Sequence, residues 1–137
     1  MLKVLPTSSE IKGCPHGISS YFYPINENRG IKWFKNKSER DYSKRNQHLA
    51  FLSGLAPQAF EDVYSDGFYG YVTESVEMLH NLYSHKEIDK KFSKKIDSLV
   101  DELYNSSDFV VDENLKNFGI KNGKLVLVDF GYADYSY

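Results

Sequence analysis

The chain predicts an α+β fold, and three observations predict it. Short runs rich in aromatic and β-branched residues, separated by turn residues, fill the first half. One stretch in the second half repeats its apolar residues at steps of three and four. Near the end, an Asn-Gly pair separates two short apolar runs. The order expected is strands, one helix, two strands, two helices and a final hairpin.

Residues 18–25, Ile-Ser-Ser-Tyr-Phe-Tyr-Pro-Ile, read as an aromatic strand. A turn over Asn26 to Gly30 joins it to a second strand, Gly30 to Lys35. Ser38 then opens a helix, with Asp41 at the spacing of a capping box. That helix carries Tyr42, Leu49 and Leu52 at helical spacing and ends near Gly54, with Pro57 beyond it. Strands follow at 58–64 and 68–74 around the turn signal Ser65-Asp66-Gly67. Residues 76–83 read as a short helix. Residues 86–105 read as the clearest helix, with Ile88, Phe92, Ile96, Leu99, Val100 and Leu103 on one face. Strands at 118–121 and 124–129 flank Asn122-Gly123.

The 137 residues amount to one domain, 1–137, with enough chain to bury a core. Net charge is −2, with basic and acidic residues interspersed, so nucleic acid is not the default partner. Lys86, Lys90, Lys91, Lys94 and Lys95 read as the solvated face of a helix. The single cysteine, Cys14, has no internal partner, and a reducing cytoplasm is the expected setting. No apolar run approaches the length of a membrane span.

The chemistry concentrates near the C-terminal hairpin. Asp112 is followed five positions later by Asn117, and Asp129 comes twelve positions after that. The Asn122-Gly123 turn brings Asn117 and Asp129 to one end of the hairpin. An amide and a carboxylate there suit Mg²⁺, a hard cation that takes oxygen ligands and keeps water and phosphate. A carboxylate at Asp112 is placed to accept the proton of an attacking hydroxyl.

This constellation resembles the protein kinase superfamily. Asp112-Glu-Asn-Leu-Lys-Asn117 matches the catalytic-loop pattern Asp-x-x-x-x-Asn, and Val128-Asp129-Phe130-Gly131 matches the metal-binding Asp-Phe-Gly turn. The resemblance implies that Asp112 is the catalytic base and that Asn117 and Asp129 hold Mg²⁺. Gly30-Ile-Lys32 is similar to the end of the family's third strand. Lys32 would then hold the ATP phosphates and act in catalysis, with Gly30 beneath the adenine. Phe68 to Val76 resembles the fifth strand and hinge, with Thr73 as gatekeeper and the backbone of Glu74 and Val76 reading adenine. Gly13 to Ser20 stands where a phosphate loop belongs, with Gly17, Ser19 and Ser20 as its contacts. The implied architecture is a kinase-like N-lobe, an antiparallel sheet with one helix over 1–74. A reduced helical C-lobe with a catalytic-loop hairpin would follow over 75–137.

The chain departs from the family pattern in four places. The helix after Lys32 lacks a mid-helix glutamate: Arg45 and Asn46 occupy the candidate positions, and Glu39 lies in the first turn. Phe109-Val110-Val111 replaces the usual His or Arg before Asp112. The glycines of the phosphate loop are four apart, and Pro15 removes a donor. Six residues follow Gly131, too few for the family's substrate platform. Two functions follow. One is an ATP-dependent, Mg²⁺-dependent phosphotransferase acting on a protein hydroxyl or on itself. The other is a pseudokinase-like module, of viral or mobile-element type, that binds and inhibits a protein partner. In either case a partner protein or a second copy would cover surface left by the missing lobe.

Overall fold

The computed structural model describes residues 5–15, 20–106 and 115–130. A short helix, α1 (Ser8–Lys12), comes first. The strands β1 (Tyr21–Pro24) and β2 (Arg29–Phe34) form a hairpin, and helix α2 (Lys37–Leu52) follows. A second hairpin, β3 (Ala59–Ser65) and β4 (Phe68–Glu74), completes an antiparallel sheet in the order β1-β2-β4-β3. The chain continues through β5 (Glu77–Met78), α3 (Leu79–Leu82) and the long helix α4 (His85–Ser106). A 3-10 turn (Leu115–Asn117) leads into β6 (Phe118–Lys121) and β7 (Lys124–Leu127), which form a second antiparallel sheet ordered β5-β6-β7. The fold class is therefore α+β.

Both hairpin signals have a clear physical basis. Asp66 and Gly67 adopt φ of 51° and 86°, and Asn122 and Gly123 adopt 51° and 78°. Two successive positive φ values give a turn whose twist matches that of paired strands.

Alternation along β2 and β4 separates the two faces of the first sheet. Ile31, Trp33, Phe68 and Val72 bury one face together with Ile11 of α1. Lys32 and Tyr71, directly paired across β2 and β4, lie on the other face, toward α2. A second core forms where α4 packs Ile88, Phe92, Ile96, Leu99 and Leu103 against Phe118, Leu125 and Leu127. Burying each such side chain contributes about 1.5–3 kcal/mol. The two halves are joined at the end of α2. There Gly54, at φ 75°, ends the helix, and the next residue's carbonyl, that of Leu55, accepts from Leu127 N–H at 2.9 Å.

The structure corrects four readings. Helix α2 is capped by Asn36, whose side chain accepts from Glu39 N–H at 2.9 Å, rather than by Ser38. Ser38 instead donates to Asn36 Oδ1. Of the expected apolar stripe of α2, Tyr42 packs against the second core, whereas Leu49 and Leu52 point outward, 41% and 66% exposed. Its buried face is mostly polar: Arg40, Ser43, Asn46, Gln47 and Ala50. Residues 76–83 are a two-residue strand and one helical turn, because Glu77 and Met78 pair with Ile120 and Gly119. Strand β7 stops at Leu127, so Asp129 lies beyond the ladder. Helix α1 was unforeseen, although its Thr7-x-x-Glu10 capping box is visible in the sequence.

Candidate functional site

The site is built around one buried ammonium. Lys32 is held in the middle of β2 and is 4% exposed. Its Nζ donates to Gln47 Oε1 at 3.1 Å and to the main-chain carbonyl of Val128. It also lies 5.6 Å from the centre of the Phe130 ring. A lysine from the first sheet thus reaches the residues on both sides of Asp129.

The same point is tied to Asn117. Val128 N–H donates to the Asn117 carbonyl at 2.7 Å, one step beyond the Phe118–Leu127 pair. The hairpin therefore sets Asn117 across from Val128 and next to the start of Asp129. Asn117 is 8% exposed, while Asp129 is half-buried. Lys32, far away in sequence, thus comes to the end of β6 and β7 that carries Asn117 and Asp129. Among the described residues no three His, Cys, Asp or Glu side chains come together. Asn117 and Asp129 are the residues there that could offer a cation such as Mg²⁺ an amide oxygen and a carboxylate, with water and phosphate oxygens completing its shell.

Electrostatics sharpen this picture. Burial pulls the Lys32 ammonium down from 10.5 to about 8, and the Asp129 carboxylate opposes that fall. Burial likewise pushes the Tyr71 phenol well up; the Ser43 hydrogen bond opposes this and Asp129 adds to it. Asp129 is thus close enough to act on both groups.

Gln47 is the residue that sequence reasoning missed. The structure places it beside Lys32, rather than Arg45, Asn46 or Glu39. A mid-helix polar residue whose helical neighbours at 40 and 43 are also polar was the available signal. That reading requires knowing that this face points inward.

The remaining expected residues are distributed as follows. Thr73 Oγ1 accepts from Gln47 Nε2 at 2.7 Å, behind Lys32. Glu74 and Val76 line a separate pocket of about 410 Å³ together with Glu27, Asn28, Ser75, Glu77, Ile120, Lys121 and Asn122. None of Lys32, Asn117 or Asp129 lines it. There the Glu74 carboxylate pairs with Lys121 Nζ at 2.8 Å. The main-chain N–H of Glu74 donates to the Gln58 carbonyl at 2.9 Å.

The space over Gly30, expected to take adenine, holds the ring of Phe22 instead. A Cβ on Gly30 would fall 2.2 Å from Phe22 Cζ. Ser20 is half-buried and precedes β1. Asp112, Gly17 and Ser19 lie outside the described residues. The chain matches no family model, and no curated protein sequence matches it significantly.

Proposed function

We propose that the chain is a kinase-like protein that binds Mg-ATP and transfers its terminal phosphoryl group to a hydroxyl. The observation that carries this reading is Lys32 Nζ on the Val128 carbonyl, which joins the buried cation of one sheet to the Asn117–Asp129 end of the other. In this reading Lys32 binds the α- and β-phosphates. Asn117 and Asp129 hold Mg²⁺, which neutralises charge on the β- and γ-oxygens. Asp112 takes the proton of the attacking hydroxyl. The hydroxyl belongs to a protein partner or to the chain itself.

A second reading has its own support. The Phe22 ring over Gly30 and an amide in place of the helix carboxylate favour a module that binds a protein partner with little catalysis.

Melting with and without Mg-ATP separates the two readings. Nucleotide at a hundredfold excess over its Kd stabilises by about 2.7 kcal/mol. Asp129→Asn is expected to abolish both that stabilisation and any transfer of labelled phosphate. Undiminished Mg-ATP turnover in Asp129→Asn would end the phosphotransferase reading. No stabilisation of the unaltered protein by Mg-ATP would favour the binding module.

A further inference from the structure

Gln47 uses every hydrogen-bonding position of its amide. Oε1 accepts from Lys32 Nζ at 3.1 Å and from the Tyr71 hydroxyl at 2.7 Å. Nε2 donates to Thr73 Oγ1 at 2.7 Å and to the Pro57 carbonyl at 3.0 Å. The two ends are not interchangeable, because the Pro57 carbonyl has no proton to give and an ammonium has no lone pair. A glutamate here would set a carboxylate oxygen against the Pro57 carbonyl, an acceptor facing an acceptor in a fully buried place. The surroundings therefore select an amide.

We infer that Gln47 is a positioning residue, which through Lys32 fixes where the phosphates of a bound nucleotide are held, and that it works only as an amide. This rests on the nucleotide reading above. Lys32 has three donors, and Gln47 and the Val128 carbonyl take two of them, which sets the direction of the third. Tyr71 supports the arrangement from behind: its hydroxyl donates to Gln47 Oε1 and pairs with Ser43 Oγ at 2.9 Å. The helix offers Lys32 a neutral group, and among the described residues Asp129 is the carboxylate whose charge acts on it; the phosphate oxygens of the nucleotide would be a further negative partner.

The test is a set of double-mutant cycles read as the Kd of Mg-ATP by calorimetry. Gln47→Met, Gln47→Glu and Tyr71→Phe are each made in the unaltered chain and in Lys32→Met. Gln47→Met is expected to weaken binding about tenfold, and Gln47→Glu to weaken it rather than tighten it. Tyr71→Phe keeps the ring, removes one donor to Gln47, and covers the case in which the Gln47 variants do not fold; about threefold weakening is expected. In the Lys32→Met background each change is expected to alter Kd by less than about twofold, because the group it acts through is gone. Additive effects in the two backgrounds, or tighter binding by Gln47→Glu, would overturn the inference.

If the unaltered protein itself binds no Mg-ATP, the nucleotide reading fails. Gln47's hold on Lys32 is then read separately, from the ¹⁵N signal of the Lys32 side chain. That signal is expected to move in Gln47→Met and in Tyr71→Phe. A signal unchanged in both would remove Gln47's positioning role as well.

Discussion

Replacing Lys32 by Met removes a rise in stability with pH that the unaltered protein shows. The buried ammonium loses its proton near pH 8, whereas an unfolded lysine keeps it to 10.5. Below pH 8 both states carry the proton, and the burial cost is constant. Between pH 8 and 10.5 the unfolded chain binds more protons than the folded one, so stability rises with pH. The full interval corresponds to about 3 kcal/mol, and the part lying between about pH 7 and about pH 9.5 to about 2 kcal/mol. Above about pH 10 the buried Tyr71 opposes the trend, because an unfolded tyrosine ionises there while the folded one stays protonated. Urea denaturation of both proteins across about pH 7 to 9.5 isolates the lysine. The unaltered protein is expected to gain about 2 kcal/mol over Lys32→Met across that range. Parallel curves for the two proteins would show that Lys32 is not held as a buried, depressed amine.

Two further outcomes follow from local geometry. Asn36→Ala removes the acceptor for Glu39 N–H and should cost about 1 kcal/mol, while Ser38→Ala should cost only a few tenths. Equal losses in denaturant midpoint would contradict the assignment of Asn36 as the cap. Gly30→Ala sets a Cβ 2.2 Å from Phe22 Cζ and is expected to cost about 1–3 kcal/mol by forcing the ring away. Added to Phe22→Ala, the same change should cost little, since the atom it meets is gone. A loss that persists in the double variant would mean that something other than the ring fills the notch.

Much of the secondary structure was legible in the residues. The two turn pairs, Asp66-Gly67 and Asn122-Gly123, fix local backbone conformation, so the strands beside them could be bounded from the sequence. The face of α4 was legible because apolar contact is what holds that helix in place, and its lysines are exposed as expected. Helix α2 obeys the opposite rule. It buries Arg40, Ser43 and Gln47 and exposes Leu49 and Leu52, so hydrophobic periodicity set Tyr42 against the core but put both leucines on the wrong side. A helix that faces polar chemistry has no apolar stripe to reveal its orientation. Residues 77–78 escaped for another reason: two residues become a strand only because β6 lies alongside.

By itself, then, the sequence determined what neighbouring residues settle among themselves: turns that need positive φ, the amphipathic face of α4 and the α+β order; Lys32, Asn117 and Asp129 it offered as candidates by chemical type. Tertiary structure decided which of those groups meet, and with what partners. It set Gln47 rather than an acid beside Lys32, put Phe22 over Gly30, and separated the Glu74–Val76 pocket from the buried lysine. The physical reason is range. A turn or helix face depends on residues a few positions apart, whereas hydrogen bonds such as that from Lys32 to Val128 form only after two sheets and a helix have been packed together.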